Sequence, residues 1–358
     1  MAQQRPWRIV MTSPGQNFDI EEAAIRAAGG AAEFKVVPCS TAEDLIAVGR
    51  EADGIIAGNE SYTRRVLEGC DRVKVISRPA VGFDQVDVAT AAELGIVVTH
   101  VPDYCTDEVS DHAMSLLLAL HRRVPWLNAA IMGGGWSQAP VYGGDRPASF
   151  HAREVPGPPH QLRGQTLGII GFGRIGQRVA EKARGFGLRL LAHDPYLPTD
   201  AGTPFGVTMI TLDHLLAEAD LVTVHCLLNA ETKGLLGAAQ FAAMKPTALL
   251  VNTARGPIVD PDALVVALRE GQIAAAALDV TDPEPPGLDS PLLQLPNLLL
   301  TPHSAYYSDR SRAGYAAVAS NTPWPSYATN DRHSSPTRVS SSLVTYGQGD
   351  AHRVYVQP

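Results

Sequence analysis

One stretch constrains this chain more than any other: Gly168-Ile169-Ile170-Gly171-Phe172-Gly173-Arg174-Ile175-Gly176. The apolar run from Thr166 to Ile170 reads as a buried strand. After the glycines, Gln177 to Arg184 repeats its apolar residues at helical spacing. Strand, glycine turn and helix, in that order, are what a dinucleotide-binding turn requires. Gly171 permits the tight turn, Gly173 lets backbone approach a pyrophosphate, and Gly176 lets helix and strand pack closely. The helix N-terminus adds unpaired N–H groups and a positive dipole end. A second strand, Leu188 to His193, follows and ends at Asp194. A carboxylate there can accept both ribose hydroxyls of NAD and repels the 2′-phosphate of NADP. The turn alone would also suit an ordinary βαβ unit. With Asp194 in place, the reading is an NAD site.

At 358 residues the chain is long enough for two domains. It is 45% hydrophobic and carries a net charge of −8, so cores are affordable and no basic surface argues for nucleic acid. Cys39, Cys70, Cys105 and Cys226 lie far apart without a CxxC pair. That spacing argues against a metal knuckle or disulfide framework and suits the cytoplasm. No apolar run follows the first arginines as in a signal peptide, and none reaches the ~20 residues of a membrane span. These features predict a cytoplasmic enzyme without metal or membrane partners.

From Trp7 strand-like and helix-like segments alternate. Strands are expected at Trp7–Met11, Phe34–Val37, Gly54–Ala57, Val73–Ile76 and Ile96–Thr99. Helices fall near 20–28, 42–52, 63–68 and 86–94. Such alternation implies a parallel sheet covered on both faces. Asp107 to Arg123 reads as a long helix, interrupted by Pro125 and resumed by Trp126 to Met132. Residues 133–163, rich in Gly and Pro, read as an extended loop. The glycine fingerprint opens a second α/β region with strands near 221–225, 248–252, 274–280 and 298–301. A last helix is expected over 308–321, and the Ser/Thr/Pro-rich 322–358 reads as a poorly ordered tail. The fold class is α/β, in two Rossmann-like domains.

Three stretches sit where strands of the second region should end, the edge that faces a ligand crevice in open α/β sheets. Val251-Asn252-Thr253-Ala254-Arg255-Gly256 places an arginine on a turn. Its guanidinium could hold a carboxylate bidentately, although a solvated turn arginine is the commoner outcome for such a residue. Leu278-Asp279-Val280-Thr281-Asp282-Pro283-Glu284-Pro285 frames Glu284 between prolines. Thr301-Pro302-His303-Ser304-Ala305 sets a histidine after a strand. Hydride transfer to a carbonyl needs a proton donor near neutral pH, and histidine oriented by a carboxylate is the usual one. Composition alone does not select His303 among eleven histidines.

In these motifs, together with Val224-His225-Cys226-Leu227-Leu228-Asn229, the chain resembles the D-isomer-specific 2-hydroxyacid dehydrogenases over about residues 73–319. The resemblance implies Arg255 as substrate-binding arginine, His303 as acid/base and Glu284 as its partner. It implies NAD held by Gly171, Gly173, Arg174, Ile175, Gly176 and Asp194, with Cys226, Thr253 and Asp279 beside it and Arg255 and His303 at its reacting end. His225 is expected to be structural or cofactor-adjacent, and Leu227 stands where the family often has proline. Ser77 to Asp84 and Ala305 to Asp309 look most like the C-terminal-binding protein branch. On that likeness Arg78 is a second substrate-contacting cation, and the amides of Val81 and Gly82 cradle the carboxylate. Tyr306 stands where that branch usually has tryptophan, and reads equally as a packing aromatic or a pocket residue. Asp107, Asp111 and His112 are expected to cap and pack.

The architecture so implied is a flavodoxin-like substrate domain, residues 1–104 and 302–321, into which an NAD-binding domain, 105–301, is inserted. The expected activity interconverts a small 2-hydroxy acid and its 2-oxo acid in a cleft between them. A homodimer paired through the cofactor domains is expected too. A non-enzymatic NAD-dependent scaffold and a phosphoglycerate dehydrogenase are the alternatives.

Overall fold

A computed structural model describes residues 5–13, 32–133 and 160–311, with two short strands at 344–346 and 350–352. The chain divides into two compact units, Met1–Cys105 with Ser308–Pro358, and Thr106–Tyr307.

In the first unit the elements run β1 (Trp7–Met11), β2 (Ala32–Val36), α1 (Ala42–Glu51), β3 (Gly54–Ile56), α2 (Arg64–Gly69), β4 (Val75–Arg78), α3 (Val88–Glu93) and β5 (Val97–His100). All pairs are parallel, in the order β2-β1-β3-β4-β5. Ile55, Leu67 and Tyr62 pack in one apolar cluster and Ile9, Met11 and Val75 in another, so β-branched runs buried on both faces form the strands. α1 starts at Thr41 because its side chain accepts from Asp44 N at 3.1 Å while the Asp44 carboxylate accepts from Thr41 N at 2.9 Å. Such a reciprocal cap stabilises a helix end by about 1 kcal/mol.

The second unit opens with α4 (Thr106–Arg122) and α5 (Val124–Met132). The break between them is made by Arg123, whose φ of 58° is left-handed, while Pro125 sits in the first turn of α5. The sequence reading had placed the interruption at Pro125. Proline lacks a donor but fits a first turn, where the N–H would be unpaired anyway. There follow β6 (Thr166–Ile170), α6 (Arg174–Arg184), β7 (Arg189–His193), β8 (Val207–Met209), α7 (Leu212–Glu218), β9 (Leu221–Val224), α8 (Ala238–Ala243), β10 (Leu249–Asn252), α9 (Pro261–Arg269), β11 (Ala275–Leu278) and β12 (Leu298–Leu300). The sheet is wholly parallel, in the order β12-β11-β10-β9-β6-β7-β8. Large apolar clusters lie on its two faces, one holding Leu215, Phe241 and Leu264, the other Leu117, Ile169 and Phe172. Lys182 joins α6 to α4 through Asp111 at 2.6 Å and Ser110 at 2.7 Å. Asp260 caps α9, accepting from Asp262 N and Ala263 N ahead of Pro261.

β8 had no counterpart among the expected strands. Beyond it, β13 (Val344–Tyr346) and β14 (Asp350–His352) pair antiparallel within the segment read as a tail. The helix expected at 20–28, residues 134–159 of the expected loop, and 312–321 of the last helix lie outside the described residues. No described helix is long and apolar enough to cross a membrane, and no group of metal-ligating side chains occurs among the described residues.

Candidate active site

The register of the seven-stranded sheet fixes what can meet at its edge. Ile170 pairs with Val224, Val224 with Asn252, Asn252 with Leu278, and Leu278 with Leu300. The residues that follow, Gly171, His225, Thr253, Asp279 and Thr301, therefore leave the sheet along one edge. Strand order reverses between β6 and β9, and open α/β sheets bind ligands in the crevice outside the carboxyl ends at such a point.

On the β6 side, Gly171 has φ 87°, and a Cβ there would lie 2.4 Å from Cys226 N. A Cβ on Gly176 would lie 2.3 Å from Gly171 O. Both glycines are required by the protein's own packing. Gly173 is not: a Cβ there meets nothing within 4 Å, so the glycine leaves open space before the N-terminus of α6. Arg174 and Ile175 open that helix, Arg174 exposed and Ile175 packed on the core beneath. At the end of β7, Asp194 accepts from Phe172 N at 2.9 Å and from Tyr196 N at 3.1 Å. Its carboxylate is thereby held beside the glycine turn. Thr253 Oγ1, buried just past β10, has no hydrogen-bond partner. Open space at Gly173, a fixed carboxylate and an orphaned hydroxyl are the features a dinucleotide would complete.

His225 and Cys226 line the same switch point without acid/base character. Burial holds the His225 imidazole down to about 3, so it is neutral, with Nε2 2.8 Å from Thr223 Oγ1. Burial likewise pushes the Cys226 thiol up to about 11.

The reactive side chains gather after β10, β11 and β12. Asn252, fully buried, donates to Arg255 O at 2.8 Å and accepts from Ala254 N at 3.0 Å. It braces both ends of the turn that presents Arg255, whose Nη1 donates to Ala254 O at 2.8 Å. His303 Nδ1 lies 2.6 Å from Glu284 Oε1. Burial would raise the Glu284 carboxyl, but the hydrogen bond and charge of His303, with Arg255 nearby, hold it below its ordinary value. His303 has φ 51°, an uncommon conformation for a residue with a side chain. Tyr306 stands edge-on to its ring at 6.2 Å between centroids, and is 37% exposed. Asp279, 2% exposed, accepts from Thr301 Oγ1, Ser304 N and Ala305 N.

Within the first unit, Arg78 ends β4 and is buried. It donates to Gly82 O at 3.2 Å, Ala57 O at 3.3 Å and Asn59 Oδ1 at 2.9 Å. Val81 O takes His100 Nδ1 at 3.0 Å, and Ala80 O takes Val101 N at 3.1 Å. Three successive carbonyls thus fix the loop of Val81 and Gly82, with Arg78 as one of its anchors.

Geometry draws together Arg255, Glu284, His303, Asp279 and Tyr306, all expected from sequence. Asn252, Thr301 and His112 had been given no part there. Asn252 lay inside a motif read for its arginine, and only burial reveals its bracing role. Thr301 and His112 are 189 positions apart and meet through folding alone, with Nε2 3.0 Å from Oγ1.

A profile of the D-isomer specific 2-hydroxyacid dehydrogenase, NAD binding domain, matches residues 114–305. The D-3-phosphoglycerate dehydrogenase of Methanocaldococcus jannaschii is 35% identical over 87% of this chain and 56% of its own length. The glyoxylate reductase of Thermococcus litoralis is 36% identical over 75% of this chain and 78% of its own. The chain spans about half the length of the phosphoglycerate dehydrogenases it matches. Among solved structures, a glyoxylate reductase from Paecilomyes thermophila superposes with a TM-score of 0.77 at 26% identity, covering 91% of this chain and 97% of that one.

Proposed function

The chain belongs to the D-isomer-specific 2-hydroxyacid dehydrogenase family, and from that premise we propose that it interconverts a D-2-hydroxy acid and its 2-oxo acid with NAD. The observation that carries the reading is the His303–Glu284 pair, 2.6 Å apart on the edge that also presents Arg255 and the glycine turn. NAD, when bound, supplies or accepts the hydride. Gly173, Arg174 and Ile175, at the start of α6 where Gly171 and Gly176 let the turn close, would hold its pyrophosphate, Asp194 would hold its ribose, and Cys226, Thr253 and Asp279 would border the rest.

Glu284 accepts from Nδ1–H, which leaves Nε2 of His303 to meet the substrate oxygen. In reduction, protonated His303 gives a proton from Nε2 to the oxygen that becomes the hydroxyl, and in oxidation neutral His303 takes it back. Glu284 stabilises the imidazolium between the two steps. Arg255 grips the substrate carboxylate with its planar fork, which a lysine cannot reproduce. Tyr306, edge-on to the His303 ring, sets side-chain preference.

The test is a panel of 2-oxo acids, glyoxylate and 3-phosphohydroxypyruvate included, assayed with NADH and NADPH. Turnover restricted to 3-phosphohydroxypyruvate would select phosphoglycerate oxidation, a reading favoured by the names of two relatives. Bound NADH without turnover on any member would instead favour the scaffold resembling C-terminal-binding proteins. The catalytic pair argues against that outcome, since a scaffold has no physical need of it. We assign the protein to a homodimer as well, supported by α5, an apolar helix with no buried residue among those described.

A further inference from the structure

We propose that His112 is a positioning residue for His303, acting through Thr301 and Asp279; this rests on the hydride-transfer reading above. His112 lies in the second turn of α4, Thr301 directly follows β12, and Asp279 directly follows β11. The turn that carries His303 ends almost entirely on Asp279. The Asp279 carbonyl accepts His303 N at 2.8 Å, and its carboxylate accepts Ser304 N at 3.0 Å and Ala305 N at 2.9 Å. The same carboxylate accepts Thr301 Oγ1 at 2.5 Å. A left-handed, non-glycine residue such as His303 persists only where its surroundings over-determine it, and this clamp does so.

His112 closes the clamp from the helix side. A threonine hydroxyl has one proton, and Thr301 spends it on Asp279. The oxygen therefore faces His112 Nε2, 3.0 Å away, with a lone pair, and Nε2 must carry the ring proton. The same nitrogen lies 3.5 Å from Asp279 Oδ1. His112 thus orients the donor that orients the carboxylate that holds the backbone of His303. The capping and packing role expected for His112 does not account for a directed contact to a residue 189 positions away. Removing it leaves Thr301 Oγ1 and a buried carboxylate short of a donor, and the turn can then relax. Displacing a positioned acid by about 1 Å can cost about 100-fold in rate.

The experiment compares the full chain with His112→Leu, His112→Gln and Thr301→Val. Glutamine places an N–H close to where Nε2 stands, whereas leucine supplies none. In steady state with NADH and the best 2-oxo acid of the panel, His112→Leu should lower kcat by about 10- to 100-fold. KM for the oxo acid and NADH affinity should stay near their starting values, and melting temperature should fall by only a few degrees. His112→Gln should recover most of the loss, and Thr301→Val should resemble His112→Leu. In parallel, the His303 ring resonances of isotope-labelled protein, assigned by their loss in His303→Asn, should shift in His112→Leu and return in His112→Gln. Unchanged kcat and resonances in His112→Leu would overturn the proposal. So would a loss that glutamine fails to restore and that follows a fall in melting temperature. If no oxo acid is turned over by the unmodified protein, hydride transfer fails by itself, and the His303 resonances alone decide the positioning.

Discussion

His303 and Glu284 are each about two-fifths exposed, so their ion pair adds little to folding, and its purpose is orientation. His303→Asn should reduce kcat by about 100- to 10,000-fold while NADH still binds, as measured by fluorescence titration. Glu284→Gln keeps the volume but removes the charge that orients and balances the His303 ring, and should lower kcat in both directions in steady-state assays. The pair's modest stabilisation follows the carboxylate. Its folded pKa lies below its ordinary 4.5, so the contribution is present above 4.5 and lost as pH falls through the lower value. A difference in urea midpoint between wild type and Glu284→Gln should shrink on acidification. A constant difference would show that the charge is not involved. Asp194 is the other residue whose charge decides an outcome. Its oxygens accept from Phe172 N and Tyr196 N, and in the proposed site they would accept the ribose hydroxyls of NAD. NAD should be preferred over NADP in kcat/KM, and Asp194→Ala should narrow that preference. Equal efficiency with both cofactors in the unmodified protein would refute the assignment.

Between residues and the whole stand the turns that end each strand, and these are the least forgiving elements. Gly256 shows why. A Cβ there would lie 1.9 Å from Thr281 O, so the turn after β10 and the turn after β11 touch backbone to backbone. Gly256→Ala should destabilise by about 1–3 kcal/mol through overpacking, and should also weaken turnover because it separates Arg255 from Glu284. Parallel losses in melting temperature and kcat are the expected signature; wild-type activity would mean the turns move freely. At this scale much was legible beforehand. Buried strands such as β6 and β10 are apolar runs bounded by glycine or polar turns. β8 was not legible, because Val207–Met209 is three residues long and pairs only with β7, leaving no alternation to read. The helix break at Arg123 escaped as well. It depends on a left-handed backbone at an arginine, which no local propensity signals, while the nearby Pro125 drew attention instead. Arg255, Glu284 and His303 were named through the family resemblance their motifs carry, since the residues alone left Arg255 as readily a solvated turn arginine and did not single out His303. Asn252, Thr301 and His112 could not, since their value lies in what they touch.

At the scale of the whole molecule, the second unit leaves one surface unexplained by its own packing. α5 reads Val124-Pro125-Trp126-Leu127-Asn128-Ala129-Ala130-Ile131-Met132, yet none of its residues is buried among the described ones. Val124 is 55% exposed and Met132 79%, and with Asn128 and Ala129 they fall at helical spacing on one exposed side. Trp126 is committed inward, its indole N–H donating to Pro296 O at 2.6 Å, so the helix cannot roll to hide that side. Apolar surface of this kind is removed from water most simply by a second copy, which presents the same helix to it under two-fold symmetry. A stable pairing needs on the order of 800 Å² per partner, more than one nine-residue helix provides, so neighbouring parts of the same unit must join it. The protein should therefore run as a dimer in light scattering at micromolar concentration. Val124→Glu with Met132→Glu should yield monomers, since two unpaired carboxylates per copy would have to be desolvated at the contact. NADH affinity should survive in those monomers, because Gly171, Gly173 and Asp194 belong to the turns after β6 and β7 and none of them is part of α5. A monomeric wild type, or a double variant that stays dimeric, would show that this helix faces something other than its own copy.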